Sequence, residues 1–142
     1  MKRQVFTILV SLSLLLVSAH AQSGTVIVAD IPFDFIIRDK TLPAGAYTLT
    51  RATQGTLMIR SRDCKTAMVF NTNLVESNNT RDELVFHRCG DKYFLSRIWT
   101  AGNSVGAELR KCRTEKDLLL ERVSKAGGAP GFDFVAVAAH QQ

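Results

Sequence analysis

Cysteine is scarce in this chain, with three residues in 142, and so are proline, also three, and tryptophan, one. Three thiols allow at most one intramolecular disulfide, which excludes the cystine-dense scaffolds that replace a hydrophobic core with cross-links. Also missing are a Gly-x-Ser-x-Gly elbow, a His-Glu-x-x-His helix and a glycine-rich phosphate loop, so the sequence carries no signature of the common hydrolases, zinc proteases or nucleotide enzymes. Neither sign of charge dominates: 18 Lys and Arg stand against 13 Asp and Glu, a net +5. That excess is too small to imply nucleic-acid binding. There is no Ser/Gly/Pro-rich linker, charge block or tandem array, and past Val17 no long apolar run that would span a bilayer as a helix.

What is present divides the chain at once. Lys2 and Arg3 precede an apolar run from Val5 to Val17 that ends in Ala19-His20-Ala21, the pattern of a secretory signal peptide over 1–21. No cysteine stands at the cleavage point, so a lipoprotein anchor is not expected. Cleavage before Gln22 leaves 22–142 as a single β-rich domain, periplasmic or secreted, with the net charge lowered from +5 to +3 by loss of Lys2 and Arg3. Its 121 residues suffice for one hydrophobic core.

The clearest structural signal is Leu84 to Trp99, two strand-like runs joined by Gly90-Asp91 as a two-residue hairpin loop. That loop sets Cys89 against Lys92, Arg88 against Tyr93, Phe86 against Leu95 and Leu84 against Arg97. His87 with Phe94 and Val85 with Ser96 share the other side. Both faces carry large apolar groups, so this hairpin belongs in a sheet covered, at least in part, on both sides.

Alternation elsewhere predicts a strand over 24–29, stopped before Pro32, and a short one through Phe33, Phe35 and Ile37. A strand from Tyr47 to Arg51 follows, then one through Leu57 and Ile59, with a three-residue loop placing Leu49 against Ile59 and Gly55 at its left-handed position. A turn centred on Asp63-Cys64 sets Met68 opposite Ile59 and Phe70 opposite Leu57, so that one apolar face runs across three strands. After a polar, Asn-rich stretch from Asn71 to Thr80 and the central hairpin, Val105 to Leu109 reads as another strand. Thr114 is a plausible N-cap for a helix with an apolar stripe of Leu118, Leu119 and Val123, ended by Gly127-Gly128. Phe132 to Val137 makes a terminal strand. The fold class expected is mainly β: an antiparallel meander forming a sandwich or small barrel, with one amphipathic helix near the C-terminus.

Pro32-Phe33-Asp34-Phe35, Leu42-Pro43-Ala44-Gly45-Ala46-Tyr47, Leu84 to Arg88, Gly90 to Ser96 and Ile98-Trp99 resemble a group of short exported bacterial β-rich proteins of unknown function. The resemblance covers most of the mature chain and implies export and a β-rich domain. It brings no activity, ligand or catalytic residue.

A meander would bring the turn at Ser61 to Lys65, the turn at Cys89 to Lys92 and the chain near Lys111 to one end of the sheet. Cys64, Cys89 and Cys112 would then gather there, with Cys64–Cys89 the favoured disulfide and free thiols the alternative. The same end collects Arg60, Arg62, Lys65, Arg88, Lys92 and Lys111, with Arg110 and Arg113 on either side of Lys111, a cluster suited to an anionic polysaccharide or lipid headgroup, or else a set of solvated turn charges. His87 and Cys89 have a spacing a metal pair can use, but two ligands do not make a site, and neither metal nor cofactor is expected. Ser96 lies diagonal to His87 with no carboxylate placed to orient the imidazole. The chain is therefore read as non-catalytic, an exported domain binding through its basic end. The alternatives are a carrier of a small apolar ligand in a cavity lined by Leu49, Ile59, Phe70, Phe86 and Leu95, and a hydrolase of unknown type.

Overall fold

The computed structural model describes residues 24–127 and 133–142. The chain is mainly β, a curled mixed sheet forming a half-barrel, with one helix near the C-terminus. In chain order the strands are β1 (Val26–Ile31), β2 (Phe35–Ile37), β3 (Lys40–Leu42), β4 (Gly45–Thr53), β5 (Thr56–Ser61), β6 (Ala67–Asn71), β7 (Asn73–Glu76), β8 (Glu83–Cys89), β9 (Lys92–Trp99), β10 (Val105–Glu108) and β11 (Asp133–Gln141), with helix α1 (Arg113–Ala126) before the last.

The three-strand register expected from alternation is the one observed. Leu49 pairs with Ile59, Ile59 with Met68 and Leu57 with Phe70. The loop differs in detail: Thr53 pairs with Thr56, leaving Gln54-Gly55 as the turn, and a bulge between Arg51 and Thr53 absorbs the extra residue. Gly55 takes φ +83, the left-handed conformation the turn requires. Burial explains why the bulge is accepted, since it keeps Leu49, Leu57 and Ile59 all on the buried face.

The same device appears in the central hairpin. From Cys89–Lys92 to Phe86–Leu95 the pairing is as the turn dictates, but a bulge then shifts Val85 onto Arg97 and Leu84 onto Ile98. The expected Leu84–Arg97 and Val85–Ser96 pairs are thereby corrected. A strict register would place Arg97 beside buried Leu84; the shift puts Ile98 there instead, and both apolar side chains are buried. Ser96 is the surplus residue, and its carbonyl accepts a hydrogen bond from Leu109 N at 2.8 Å.

Neighbours in sequence pair antiparallel from β4 through β6 and from β8 through β10. What joins the two runs is β11, which pairs with β8 along 133–138 and with β1 along 139–141. β2 lies parallel to β9. At the other side a single residue, Thr72, separates β6 from β7, so one bent strand carries the chain back to β10. Phe35, Tyr47, Leu49, Ile59, Phe70, Leu84, Phe86 and Ile98 fill the interior as one core. Each such side chain contributes about 1.5–3 kcal/mol as an upper estimate.

Helix α1 begins two residues earlier than the Thr114 reading. Its N-cap is Cys112, in extended conformation, whose sulfur accepts from Glu115 N at 3.4 Å. Gly127 closes it in the left-handed conformation, and Gly128 lies outside the described residues. The apolar stripe is only partly covered, Leu118 and Leu119 being half-buried while Leu120 and Val123 are exposed.

Candidate functional site

Outside the hairpin, on the face away from the core, β8 presents His87 and Cys89 two residues apart, both buried. α1 covers them by its first turn. Glu115, the third helical residue, reaches back so that its Oε1 is hydrogen-bonded to His87 Nδ1 at 2.7 Å, and the carboxyl is itself buried. His87 Nε2 lies 3.9 Å from Cys89 Sγ. Phe134 on β11 stacks on the imidazole at 5.4 Å between ring centres. The expectation that no carboxylate reaches His87 is therefore corrected. Glu115 is 28 residues away in sequence, and only the late helix folding over β8 brings it there.

Both thiols in this cluster are held in the neutral form. Burial pushes Cys89 above the ordinary 9.0, and the Glu115 carboxyl adds to the rise, while Arg122 and Lys111 oppose it. Cys112 is raised for the same first reason, desolvation, although the Glu115 N–H on its sulfur works the other way. A thiol so placed is a poor nucleophile at neutral pH.

The Cys64–Cys89 disulfide is not formed; all three cysteines are free. The direction of the strands does put both turns at the same end of the sheet, but β4, β1 and β11 stand between β5 and β8. The two tips therefore belong to strands four steps apart in the sheet and not to adjacent hairpins. Cys64 instead sits exposed in the β5–β6 turn at φ +58, with its thiol directed to the carbonyl of Arg62.

The basic residues divide in the same way. Arg60, Arg62 and Lys65 belong to the β5–β6 tip, where Lys65 is 3.9 Å from Asp63. Asp63 is held below the usual carboxylate range, chiefly by the Ser61 hydroxyl donating to it at 2.5 Å and then by Lys65 N–H. Arg88 and Lys92 flank the β8–β9 tip, and Lys111 lies just before α1. All six are exposed. To the second group the structure adds Arg122, whose Nη1 donates to the Arg88 carbonyl at 3.5 Å. Arg88 lies over the Tyr93 ring at 5.8 Å, and Tyr93 stacks on Phe33 at 4.0 Å.

Three clefts stand out among the described residues. The largest, about 400 Å³, lies between the Pro43–Tyr47 turn and the β5–β6 turn and includes Arg62 and Asp63. A second, about 240 Å³, is lined by His87, Ser96, Arg97, Glu108, Lys111 and Phe134. A third, about 190 Å³, is formed by Arg38, Asn71, Thr72, Asn73 and Arg110. Leu49, Ile59, Phe70, Phe86 and Leu95, expected to line a carrier's cavity, are packed in the core and line none of the three. Among the described residues no three His, Cys, Asp or Glu side chains converge as a metal site, and no helix is long and apolar enough to cross a membrane. No protein-family model, curated protein or solved structure matches the chain.

Proposed function

We propose that the chain is an exported, non-catalytic β domain, periplasmic or secreted, that binds an anionic polysaccharide through the β8–β9 tip. The observation that carries this reading is the Arg122–Arg88 contact. It ties the helix's cation to the Arg88 backbone at the strand end where Lys92 opens β9. Among the described residues, Arg88, Lys92 and Arg122 form no ion pair. Exposed cations without carboxylate partners keep their full capacity for sulfate or carboxylate groups. Tyr93 is held between the Phe33 ring and the Arg88 guanidinium, and this fixes where the Arg88 charge sits at the tip.

The test is retention of the mature protein on a heparin-like matrix across a salt gradient, with anionic lipid vesicles as the alternative surface. Retention should fall with salt and be lost when Arg88, Lys92 and Arg122 become Ser, while replacing Arg60, Arg62 and Lys65 should change it less. Equal retention by the β8–β9 variant would reject the reading, and binding to vesicles alone would move it to lipid.

A second reading, a hydrolase, is favoured by one observation: Glu115 supplies the orienting carboxyl, and Ser96 shares a cleft with His87. Cys89 Sγ is the group placed at the other imidazole nitrogen, and a shared cleft does not by itself make Ser96 and His87 a nucleophile–base pair. Turnover of simple ester substrates that disappears in Ser96→Ala would establish it, and equal turnover in that variant would remove it.

A further inference from the structure

The third cleft lies apart from the β8–β9 tip and from the His87 cluster. Arg38 enters it from the β2–β3 turn, Asn71, Thr72 and Asn73 from the β6–β7 junction, and Arg110 from the segment that follows β10. Two arginines, two asparagines and a threonine are thus brought together from three parts of the chain, and no Asp or Glu lines the space. Among the described residues neither arginine has an ion-pair partner.

The surrounding backbone is pinned. Thr72 N donates to the Gly55 carbonyl at 2.7 Å, and Leu109 N to the Ser96 carbonyl at 2.8 Å, which fixes the approach to Arg110. Asn71 Oδ1 accepts from Thr56 Oγ1 at 3.3 Å, and this leaves the hydrogens of the same side-chain amide for other acceptors.

Arg38 itself sits at φ +56. Ile37 pairs with Lys40, so Arg38-Asp39 is a two-residue turn whose first position is held in the left-handed region. Glycine is the residue that such a position favours. A long cationic side chain kept there against the local preference is an outlier with a use to explain.

We infer that this cleft binds a tetrahedral oxyanion, phosphate or sulfate, free or carried as the monoester of a sugar. The guanidinium forks supply paired donors to two of its oxygens, and the Asn71 and Asn73 amides are the donors at hand for the others. The space, about 190 Å³, is close to that of six liquid waters at about 30 Å³ each, enough for one such group and too little for a polymer segment. None of its residues belongs to the β8–β9 tip, so the inference stands or falls apart from polysaccharide retention.

Titration of the mature protein with inorganic phosphate, inorganic sulfate and a sugar phosphate, followed by amide chemical shifts and calorimetry with chloride as the control, tests it. Saturable shifts are expected at 71–73 and 109–111, with affinity reduced at least about tenfold in Arg38→Gly and in Arg110→Ser. Arg38→Gly relieves the turn, so its thermal midpoint should not fall, and lost binding in that variant is not lost folding. If the sugar phosphate binds more tightly than the free ions, the natural ligand is a monoester; if the free ions bind as well, it is the ion. Absence of saturable shifts up to tens of millimolar, or equal affinity in both variants, would overturn the site.

Discussion

Glu115 and His87 meet at 2.7 Å between α1 and β8, both buried, and this contact fastens the first turn of the helix to the sheet. Its replacement is correspondingly costly. Glu115→Ala leaves the imidazole nitrogen buried without its partner, a loss of about 1–3 kcal/mol in urea unfolding. Replacing both, as His87→Phe with Glu115→Leu, removes the unsatisfied groups together and should recover much of that. A double variant as unstable as the sum of its parts would show that the contact does not hold the helix.

Thiol chemistry gives the second prediction. Native protein should expose one reactive thiol, Cys64, to a disulfide reagent at neutral pH, with Cys89 and Cys112 following only on denaturation. Their raised folded pKa values also fix the sign of the pH effect. The unfolded chain loses thiol protons first, so stability is intact below the ordinary 9.0 and declines as pH climbs through the folded values. Tyr47, raised from 10.0 mainly by burial and then by Asp63 and Asp34, extends that decline. The urea midpoint should therefore drop on the alkaline side, and the drop should be smaller in a Cys89→Ala, Cys112→Ala, Tyr47→Phe variant; an unchanged slope would count against this account.

Gly106 on β10 supports the Trp99 ring directly. A Cβ there would stand 2.2 Å from Trp99 Cε3 and 3.2 Å from the Ile98 carbonyl. Gly106→Ala must displace the indole, at a cost of about 1–3 kcal/mol, and should alter Trp fluorescence in the folded state. Unaltered fluorescence and stability would mean the ring moves freely.

The core separates what alternation reveals from what it hides. Leu49, Ile59, Met68 and Phe70 were legible because each strand is short, turns are tight and one buried face admits only one register. Both bulges were not, since they respond to burial of Leu57 and Ile98, which depends on partners across the sheet. Nor was β11's insertion between β1 and β8, which separates Cys64 from Cys89. Nor was the Glu115–His87 contact, because hydrophobic periodicity places a helix without saying which of its polar residues will be covered. The Glu115 position had one available signal: it follows Cys112 by three residues, the spacing of a capping pair. Ile59→Ala should cost about 2–5 kcal/mol and Val69→Ala, on the exposed face of the adjoining strand, no more than about 0.5.

Phe33-Asp34-Phe35 and Phe132-Asp133-Phe134 share a triplet, yet their aspartates have unlike surroundings. Asp34 Oδ1 accepts from Ala44 N at 2.8 Å, which ties the strand entrance to the Pro43-Ala44 turn, and the Tyr47 hydroxyl donates to the Pro43 carbonyl at 2.7 Å on the same corner. Phe35 and Tyr47 then meet edge to face in the core, 5.2 Å apart. Asp133, at the start of β11, is exposed opposite Arg88 and forms no ion pair with it. Asp34→Ala should therefore destabilise by about 1–2 kcal/mol, since a backbone donor loses a charged acceptor. Asp133→Ala should stay within about 0.5 kcal/mol, as surface changes do. It also removes negative charge from beside Arg88, so its retention on the heparin-like matrix should increase. Equal losses from the two aspartates in urea titrations would show that the Pro43-Ala44 corner is not what gives the first triplet its place in the fold.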